Sequence, residues 1–192
     1  MFLIYNFLSE QEETDLLAAI QDLKWDSNRA GTRRVQLYVP WHEHPKYVIT
    51  PKTSSPPLPP KAVEMAKRII EVGRGYFPKI DWDKYNIDQR LFCELQINEY
   101  GQNDALGFHK DNPIAYYDVI FGVSLLSHCW IHYQYLSQEV KVLIPRRSLY
   151  LLSGKARYQW KHGIPPQSLV DGDKRISLTM RRVNYTKNPS KQ

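Results

Sequence analysis

A series of short β-rich segments fills most of the chain after residue 90 and constrains the fold more than any other feature. Each segment combines β-branched or aromatic residues with alternating polarity, and turn-forming residues separate it from the next. Many short strands in succession predict a sandwich or a barrel. The predicted strands span residues 91–100, 117–126, 129–136, 140–144, 148–152, 157–162 and 175–184.

Helices are predicted ahead of this β-core. Ser9 and Glu12 have the spacing of a capping box, and apolar residues at helical spacing follow them. A proline-rich loop over 51–60 precedes a second predicted helix, from Lys61 to about Gly73. The expected fold class is therefore α+β, mainly β, with helices first and strands after them.

Composition and charge narrow the class of protein further. A chain of 192 residues with 42% apolar content suits one domain, and its net charge of +6 favours a polyanion such as nucleic acid. Cys93 and Cys129 lie in apolar segments, which predicts buried, reduced thiols. Because no secretory signal and no membrane-spanning run is visible, we expect a monomer in the cytosol or nucleus with no membrane partner.

Three residues form a candidate metal site. His109 and Asp111 are two positions apart, so at the end of a strand both side chains leave the same face. His162 precedes Gly163 and two prolines, which predicts a position at the rim of the β-core. A His-x-Asp pair alone arises often by chance. Two imidazoles and one carboxylate leave three positions open on Fe(II), as a bidentate 2-oxoacid plus dioxygen requires.

The last predicted strand carries a second candidate site. Arg175, Ser177, Thr179 and Arg181 share one face of it, and apolar residues occupy the other face. The two arginines stand about 20 Å apart along the strand and each reaches roughly 6 Å, which leaves a gap suited to a small dicarboxylate such as 2-oxoglutarate. Alternatively, each arginine has its own acidic partner or is exposed.

The combined pattern resembles the AlkB family of oxidative nucleic-acid dealkylases. The residues that carry the resemblance are Asn98-x-Tyr100, His109-x-Asp111, His162-Gly163-Ile164, and Arg175 with Arg181. It implies a double-stranded β-helix, or jelly-roll, over about 91–184, with N-terminal helices and a nucleotide-recognition lid over about 26–60. It also implies Fe(II), 2-oxoglutarate and dioxygen as cofactors, with oxidation of 2-oxoglutarate to succinate and hydroxylation of a substrate carbon.

The resemblance assigns roles to individual residues. Arg175 would bind the far carboxylate of 2-oxoglutarate and Arg181 the carboxylate next to the iron. Asn98 and Tyr100, whose amide and phenol share a strand face, would complete the pocket. Ser177 and Thr179 are further candidates for the same pocket, on the face that the two arginines share.

One departure from the family concerns the substrate. Bacterial repair enzymes of the family carry an acidic residue directly after the metal-binding aspartate, whereas Asn112-Pro113 follows Asp111 here. Repair of methylated DNA is therefore in doubt. The segment from Asn112 to Asp118 is similar to the branch that hydroxylates a modified wobble uridine in transfer RNA.

Candidate substrate contacts lie in the predicted lid. Arginine pairs with phosphate and bases stack on aromatic rings, and the strand that begins near residue 33 offers both kinds of side chain. The candidates are Arg33, Arg34, Tyr38 and Trp41. In the alternative interpretation, this strand is an ordinary solvated one.

The expected function is oxidative demethylation or hydroxylation of alkylated or modified bases in DNA or RNA. Two alternatives stay open at this point. The same oxygenase chemistry could act on a protein side chain or a small molecule, or the chain could be a non-catalytic binding module that retains the barrel.

Overall fold

A computed structural model describes residues 1–21, 24–26, 33–38, 58–85 and 94–183, and these ranges contain three helices and a β-core. The helices are α1 (Glu10–Gln21), α2 (Pro60–Tyr76) and the single turn α3 (Gly154–Tyr158), with a short 3₁₀ turn at Trp82–Tyr85. The strands are β1 (Phe2–Ile4), β2 (Arg34–Tyr38), β3 (Glu94–Gly101), β4 (Leu106–His109), β5 (Tyr116–Leu125), β6 (Cys129–Tyr135), β7 (Gln138–Ile144), β8 (Leu149–Leu152), β9 (Lys161–Ile164) and β10 (Lys174–Val183).

The strands form two antiparallel sheets. The larger has the order β1-β8-β5-β10-β3-β2, and the smaller has the order β4-β9-β6-β7. Strand β10 lies at the centre of the larger sheet, where it pairs with β3 on one side and with β5 on the other. This arrangement confirms the double-stranded β-helix and the mainly β fold class.

The first helix forms where its capping signal predicts. Ser9 Oγ accepts a hydrogen bond from the Glu12 amide at 3.1 Å, and the Glu12 carboxylate accepts one from the Ser9 amide at 2.7 Å. Leu16 and Ile20 are buried in a core cluster with residues of α2 and of the larger sheet. Burying side chains of this size stabilises the fold by roughly 1.5–3 kcal/mol each, so packing rather than helix propensity fixes α1 on the sheet.

A second apolar cluster lies between the two sheets. Ile120 and Leu152 of the larger sheet pack there with Ile131 and Ile164 of the smaller one. Strand β10 separates the two environments: its apolar residues Ile176, Leu178 and Met180 join the first cluster, as the alternation predicts. The opposite face of β10 is thereby left to line a cavity between the sheets.

One predicted strand is wrong and two strands were missed. Residues 157–162 do not form one strand, because Gly154–Tyr158 is a helical turn and β9 begins only at Lys161. Gly154 adopts a positive φ of 52°, which reverses the chain, and the lysine, alanine and arginine that follow favour helix. Strands β1 and β4 are too short for their alternation to show, and pairing with β8 and β9 holds them in place.

The predicted lid lies mostly outside the described residues, as do Trp41 and Cys93. Its described strand, β2, pairs with β3 at the edge of the larger sheet. Cys129 is a buried, free cysteine, as expected. No helix among the described residues is long and apolar enough to cross a bilayer.

Candidate active site

The three predicted metal ligands come together at one end of the smaller sheet. His109 is the last residue of β4 and lies opposite His162 of β9, while Asp111 follows two residues beyond the strand. One ligand atom of each side chain lies within 4.8 Å of the others. His162 Nε2 and Asp111 Oδ2 are 3.7 Å apart, and the two imidazole centroids are 4.4 Å apart. This spacing suits one ion held on one face.

The surroundings of the three ligands suit metal coordination. His109 Nδ1 lies 2.8 Å from the Gly107 carbonyl oxygen, and since a carbonyl only accepts, the neutral ring carries its proton on Nδ1 and keeps the lone pair of Nε2 free. Burial lowers the pKa of His162 to about 4, so its imidazole is neutral at neutral pH. Although burial alone would raise it, the pKa of Asp111 is lowered because Arg181 and the two histidines favour the carboxylate.

Two arginines fix the aspartate. Arg181 Nε donates to Asp111 Oδ1 at 2.8 Å, which leaves Oδ2 facing His162. Arg157 of α3, which is only 2% exposed, donates from its two terminal nitrogens to the carbonyls of Asp111 (2.6 Å) and Asn112 (2.9 Å). The helical turn that replaces the predicted strand therefore holds the backbone that carries a metal ligand.

A cavity of about 530 Å³ opens beside the triad. Its walls include all three metal ligands and the polar faces of β3 and β10. The predicted cosubstrate residues Asn98, Tyr100, Arg175, Ser177, Thr179 and Arg181 all line it. A single cavity thus brings together the two sites that the sequence suggested separately.

Arg175 lies at the end of the cavity that is lined by Tyr100. Its side chain is completely buried, and its Nε donates to Ser124 Oγ at 2.9 Å. Both terminal nitrogens, Nη1 and Nη2, are buried and have no hydrogen-bond partner among the described residues. Because an uncompensated buried cation is costly, this arrangement fits a carboxylate ligand that completes it. The donor set therefore matches the far end of a bound 2-oxoglutarate.

Arg181 has partners of its own. Besides Asp111, it donates from Nη1 to Glu94 Oε1 at 2.7 Å and to Gln96 Oε1 at 3.0 Å. Burial opposes its charge, but the carboxylates of Asp111 and Glu94 outweigh that effect and raise its pKa. Arg181 is thus a charged link between the metal end of the cavity and strand β3. In the alternative interpretation, each arginine has its own acidic partner. This is true of Arg181, but among the described residues no carboxylate pairs with Arg175.

Tyr100 and Asn98 lie on the wall between these two arginines. Burial raises the pKa of Tyr100 to about 12, so the phenol is neutral and can donate its proton in a hydrogen bond. Asn98 Oδ1 accepts from Gln96 Nε2 at 2.9 Å. Both positions agree with the prediction that the two side chains complete a cosubstrate pocket.

The structure separates the four candidate substrate residues. Arg33 lines the cavity, whereas Arg34 pairs with Glu99 at 2.7 Å and stacks on Trp25, on the other face of the strand. Tyr38 is buried in the core cluster and donates to Gln36 Oε1, because the even residues of β2 face α1 rather than the cavity. Neither Arg34 nor Tyr38 lines the cavity, and Trp41 lies outside the described residues.

Sequence reasoning missed four residues of the site. Glu94 and Gln96 share the strand face of Asn98 at even spacing, so the period of two could have identified them. Tyr116 donates to Glu94 Oε2 at 2.8 Å across the cavity wall, and Arg157 supports Asp111 from a helical turn. No local signal predicts either of these long-range contacts.

Comparisons with known proteins agree with this site. The 2OG-Fe(II) oxygenase superfamily matches residues 1–181 of the chain. An Arabidopsis thaliana protein named "Alkylated DNA repair protein ALKBH8 homolog" is 30% identical over 97% of this chain. A Caenorhabditis elegans "DNA N6-methyl adenine demethylase" is 28% identical over 94%. The solved structure of OsALKBH1 has the same fold, with a TM-score of 0.64 at 14% identity over 93% of this chain and 95% of that one.

The chain covers less than two thirds of both relatives, 57% of the Arabidopsis protein and 59% of the C. elegans protein. Each comparison therefore concerns only part of the relative, although it covers nearly all of this chain. The chain is an Fe(II)- and 2-oxoglutarate-dependent dioxygenase that belongs to the 2OG-Fe(II) oxygenase superfamily and, within it, to the AlkB family.

Proposed function

We propose that this dioxygenase demethylates or hydroxylates modified bases in nucleic acid, with iron held by His109, Asp111 and His162. The observation that carries the assignment of the site is Arg175, which lines the same cavity as the triad and whose terminal nitrogens have no partner in the described ranges of the chain. Arg175 would hold the far carboxylate of 2-oxoglutarate, and Arg181 would hold the carboxylate nearer the metal. Bound Fe(II) supplies the centre at which dioxygen is activated at the expense of 2-oxoglutarate.

The residues of this chain prepare the site before any ligand arrives. The Gly107 carbonyl fixes the tautomer of His109, so its Nε2 is available to the metal. Arg181 orients the carboxylate of Asp111, and Arg157 orients its backbone. These contacts hold the proposed ligands in orientations that suit metal binding.

Nucleic acid is proposed as substrate on two grounds. One relative is named as a DNA demethylase and another as a tRNA methyltransferase. In addition, the net charge of +6 suits binding to a polyanion. The position after Asp111 argues for a modified base unlike those of the bacterial repair enzymes. Asn112 Oδ1 accepts from the amides of Ile114 and Ala115, so this side chain closes a turn instead of meeting a base.

The proposal is tested by succinate formation. Protein loaded anaerobically with Fe(II) and 2-oxoglutarate is exposed to oxygen with N6-methyladenine DNA, methylated RNA or a modified anticodon stem-loop. We expect one of these to stimulate succinate formation, His162→Ala to abolish it, and His132→Ala to retain it. His132 is the matched control because it lies in the same sheet and pairs with Glu139, away from the cavity.

Two outcomes would contradict parts of the proposal. Binding of metal and 2-oxoglutarate with no stimulation by any oligonucleotide would refute the nucleic-acid substrate in favour of a protein side chain or small molecule. Retained metal binding in His162→Ala would refute the proposed ligand set.

A further inference from the structure

Arg33 is the third arginine of the cavity, and the proposed chemistry gives it no role. It lies at the start of β2 on the edge of the larger sheet, and its Nε donates to Asn98 Oδ1 at 3.2 Å. Its Nη1 also reaches the Ala105 carbonyl at 3.4 Å, a long contact that ties it to the loop between β3 and β4. Contacts with Asn98 and with the Ala105 carbonyl therefore hold Arg33 on the cavity wall.

A chain of hydrogen bonds fixes the orientation of Asn98. Arg181 can only donate, so the atom of Gln96 that faces it is the oxygen, and the Gln96 nitrogen then points to Asn98. Arg33 also only donates, so Asn98 Oδ1 receives hydrogen bonds from both sides. The Asn98 nitrogen, with its two protons, remains for a ligand. Arg33 and Gln96 together make this amide a donor toward an anion.

Arg33 also adds charge at one end of the cavity. Its guanidinium carbon lies 5.8 Å from the centre of the Tyr100 ring, and that of Arg175 lies 5.6 Å from the same ring. Within the described part of the chain neither arginine has an ion-pair partner, whereas Arg181 has both Asp111 and Glu94. Two cations without an ion-pair partner among the described residues thus flank Tyr100. An anionic group is therefore favoured beside Tyr100.

We propose that Arg33 is a cosubstrate-positioning residue that fixes Asn98 as a donor and adds a second cation for the far carboxylate of 2-oxoglutarate. The inference rests on the cosubstrate site proposed above and gives Arg33 a task other than contact with nucleic acid. It also makes the edge strand β2 part of the cosubstrate pocket. Arg34, its immediate neighbour, has no such task because it pairs with Glu99 on the opposite face.

The test measures cosubstrate binding without turnover. Titration calorimetry with Mn(II)-loaded protein compares wild type, Arg33→Met, Arg33→Lys and the control Arg34→Met. Each is titrated with 2-oxoglutarate and with 2-oxopentanoate, which has the same chain length but lacks the far carboxylate. The difference between the two ligands isolates effects on that carboxylate.

We expect Arg33→Met to weaken 2-oxoglutarate binding about 10-fold, the loss of one hydrogen bond to a charged group, and to leave 2-oxopentanoate within about 2-fold. Arg33→Lys should recover part of the loss, because it restores the charge but not the fork that holds Asn98. Arg34→Met should bind both ligands as wild type does. Mn(II) affinity should stay unchanged in every variant, which verifies that the triad has folded.

Unchanged 2-oxoglutarate binding in Arg33→Met, or equal weakening of both ligands, would overturn the role of Arg33 while leaving the cosubstrate site intact. Failure of the wild-type protein to bind 2-oxoglutarate with Mn(II) would instead refute the cosubstrate site, and the inference with it.

Discussion

Replacing Arg175 by methionine should stabilise the ligand-free protein while removing its response to 2-oxoglutarate. The guanidinium is fully buried and, within the part of the chain that the structure describes, its Nε alone has a hydrogen-bond partner, Ser124. Apolar replacement of buried charges commonly gains about 1–4 kcal/mol. We expect the lower half of that range, because methionine fills less of the space and leaves part of the cavity wall bare. For a domain of this size, 1 kcal/mol corresponds to roughly 2–4 °C in Tm, so Tm should rise by about 2–10 °C.

The stabilisation that 2-oxoglutarate confers on the protein should decrease in Arg175→Met, although the Tm of the ligand-free protein rises. For wild type, 2-oxoglutarate at about 100 times its Kd stabilises the folded state by about 2.7 kcal/mol. Arg175→Met should lose most of this gain, because the far carboxylate then faces an apolar side chain. Thermal denaturation followed by fluorescence, in the presence of Mn(II) and with or without 2-oxoglutarate, measures both effects in one experiment.

Arg146→Met is the matched control for the stability measurement. Arg146 Nε pairs at 2.7 Å with Glu13, whose side chain is only 1% exposed. Removing this arginine leaves a buried carboxylate short of a partner, so Tm should fall. A fall in Tm for ligand-free Arg175→Met similar to that of Arg146→Met would refute the reasoning, since it would show that the Arg175 charge is already compensated in the protein.

Three further predictions concern packing, pH and the support of the metal site. A Cβ on Gly73 would lie 2.1 Å from Trp82 Cη2, so Gly73→Ala should lower the free energy of unfolding by about 1–3 kcal/mol, as measured by urea denaturation. Gly75→Ala is the control, because the space around Gly75 is open, and it should leave this free energy unchanged. Between about pH 7.5 and about pH 5, the free energy of unfolding of the metal-free protein should fall by about 2 kcal/mol. The unfolded chain protonates His162 below its ordinary pKa of 6.5, whereas the folded chain keeps this imidazole neutral down to a pKa of about 4. Urea titrations should show this fall for wild type and not for His162→Asn. Arg157→Met should weaken Mn(II) binding about 10-fold in calorimetry, and unchanged affinity would contradict its supporting role.

The β-core and the ligand-bearing residues could be predicted because their signals are local. The alternation along Lys174–Val183 reports directly which side chains face the cavity, since a strand has a period of two. The Ser9–Glu12 capping box specifies the start of α1 for a similar reason, because both partners lie within one helical turn. The metal triad combines two such local signals.

Features that depend on distant partners escaped prediction. Arg157 precedes His162 by five residues in a stretch that resembles a strand, and its contact with the Asp111 backbone joins residues that are 46 positions apart, beyond any local pattern. Tyr38 is an aromatic residue of the kind on which bases stack, but the register of β2 on β3 turns its side chain toward the helices. A shift of one residue would reverse its direction, and sequence alone does not determine that register.

The two histidines and the arginines proposed to hold the cosubstrate belong to different sheets. His109 and His162 lie on the smaller sheet and Arg175 lies on the larger one, and Ile120 and Ile131 pack in the cluster between the sheets and also line the cavity. A dicarboxylate that chelates the metal and reaches Arg175 must therefore span the layer between the sheets. The thickness of that layer would set the length of the 2-oxoacid that fits, so the size of these two core side chains would also affect which cosubstrate binds.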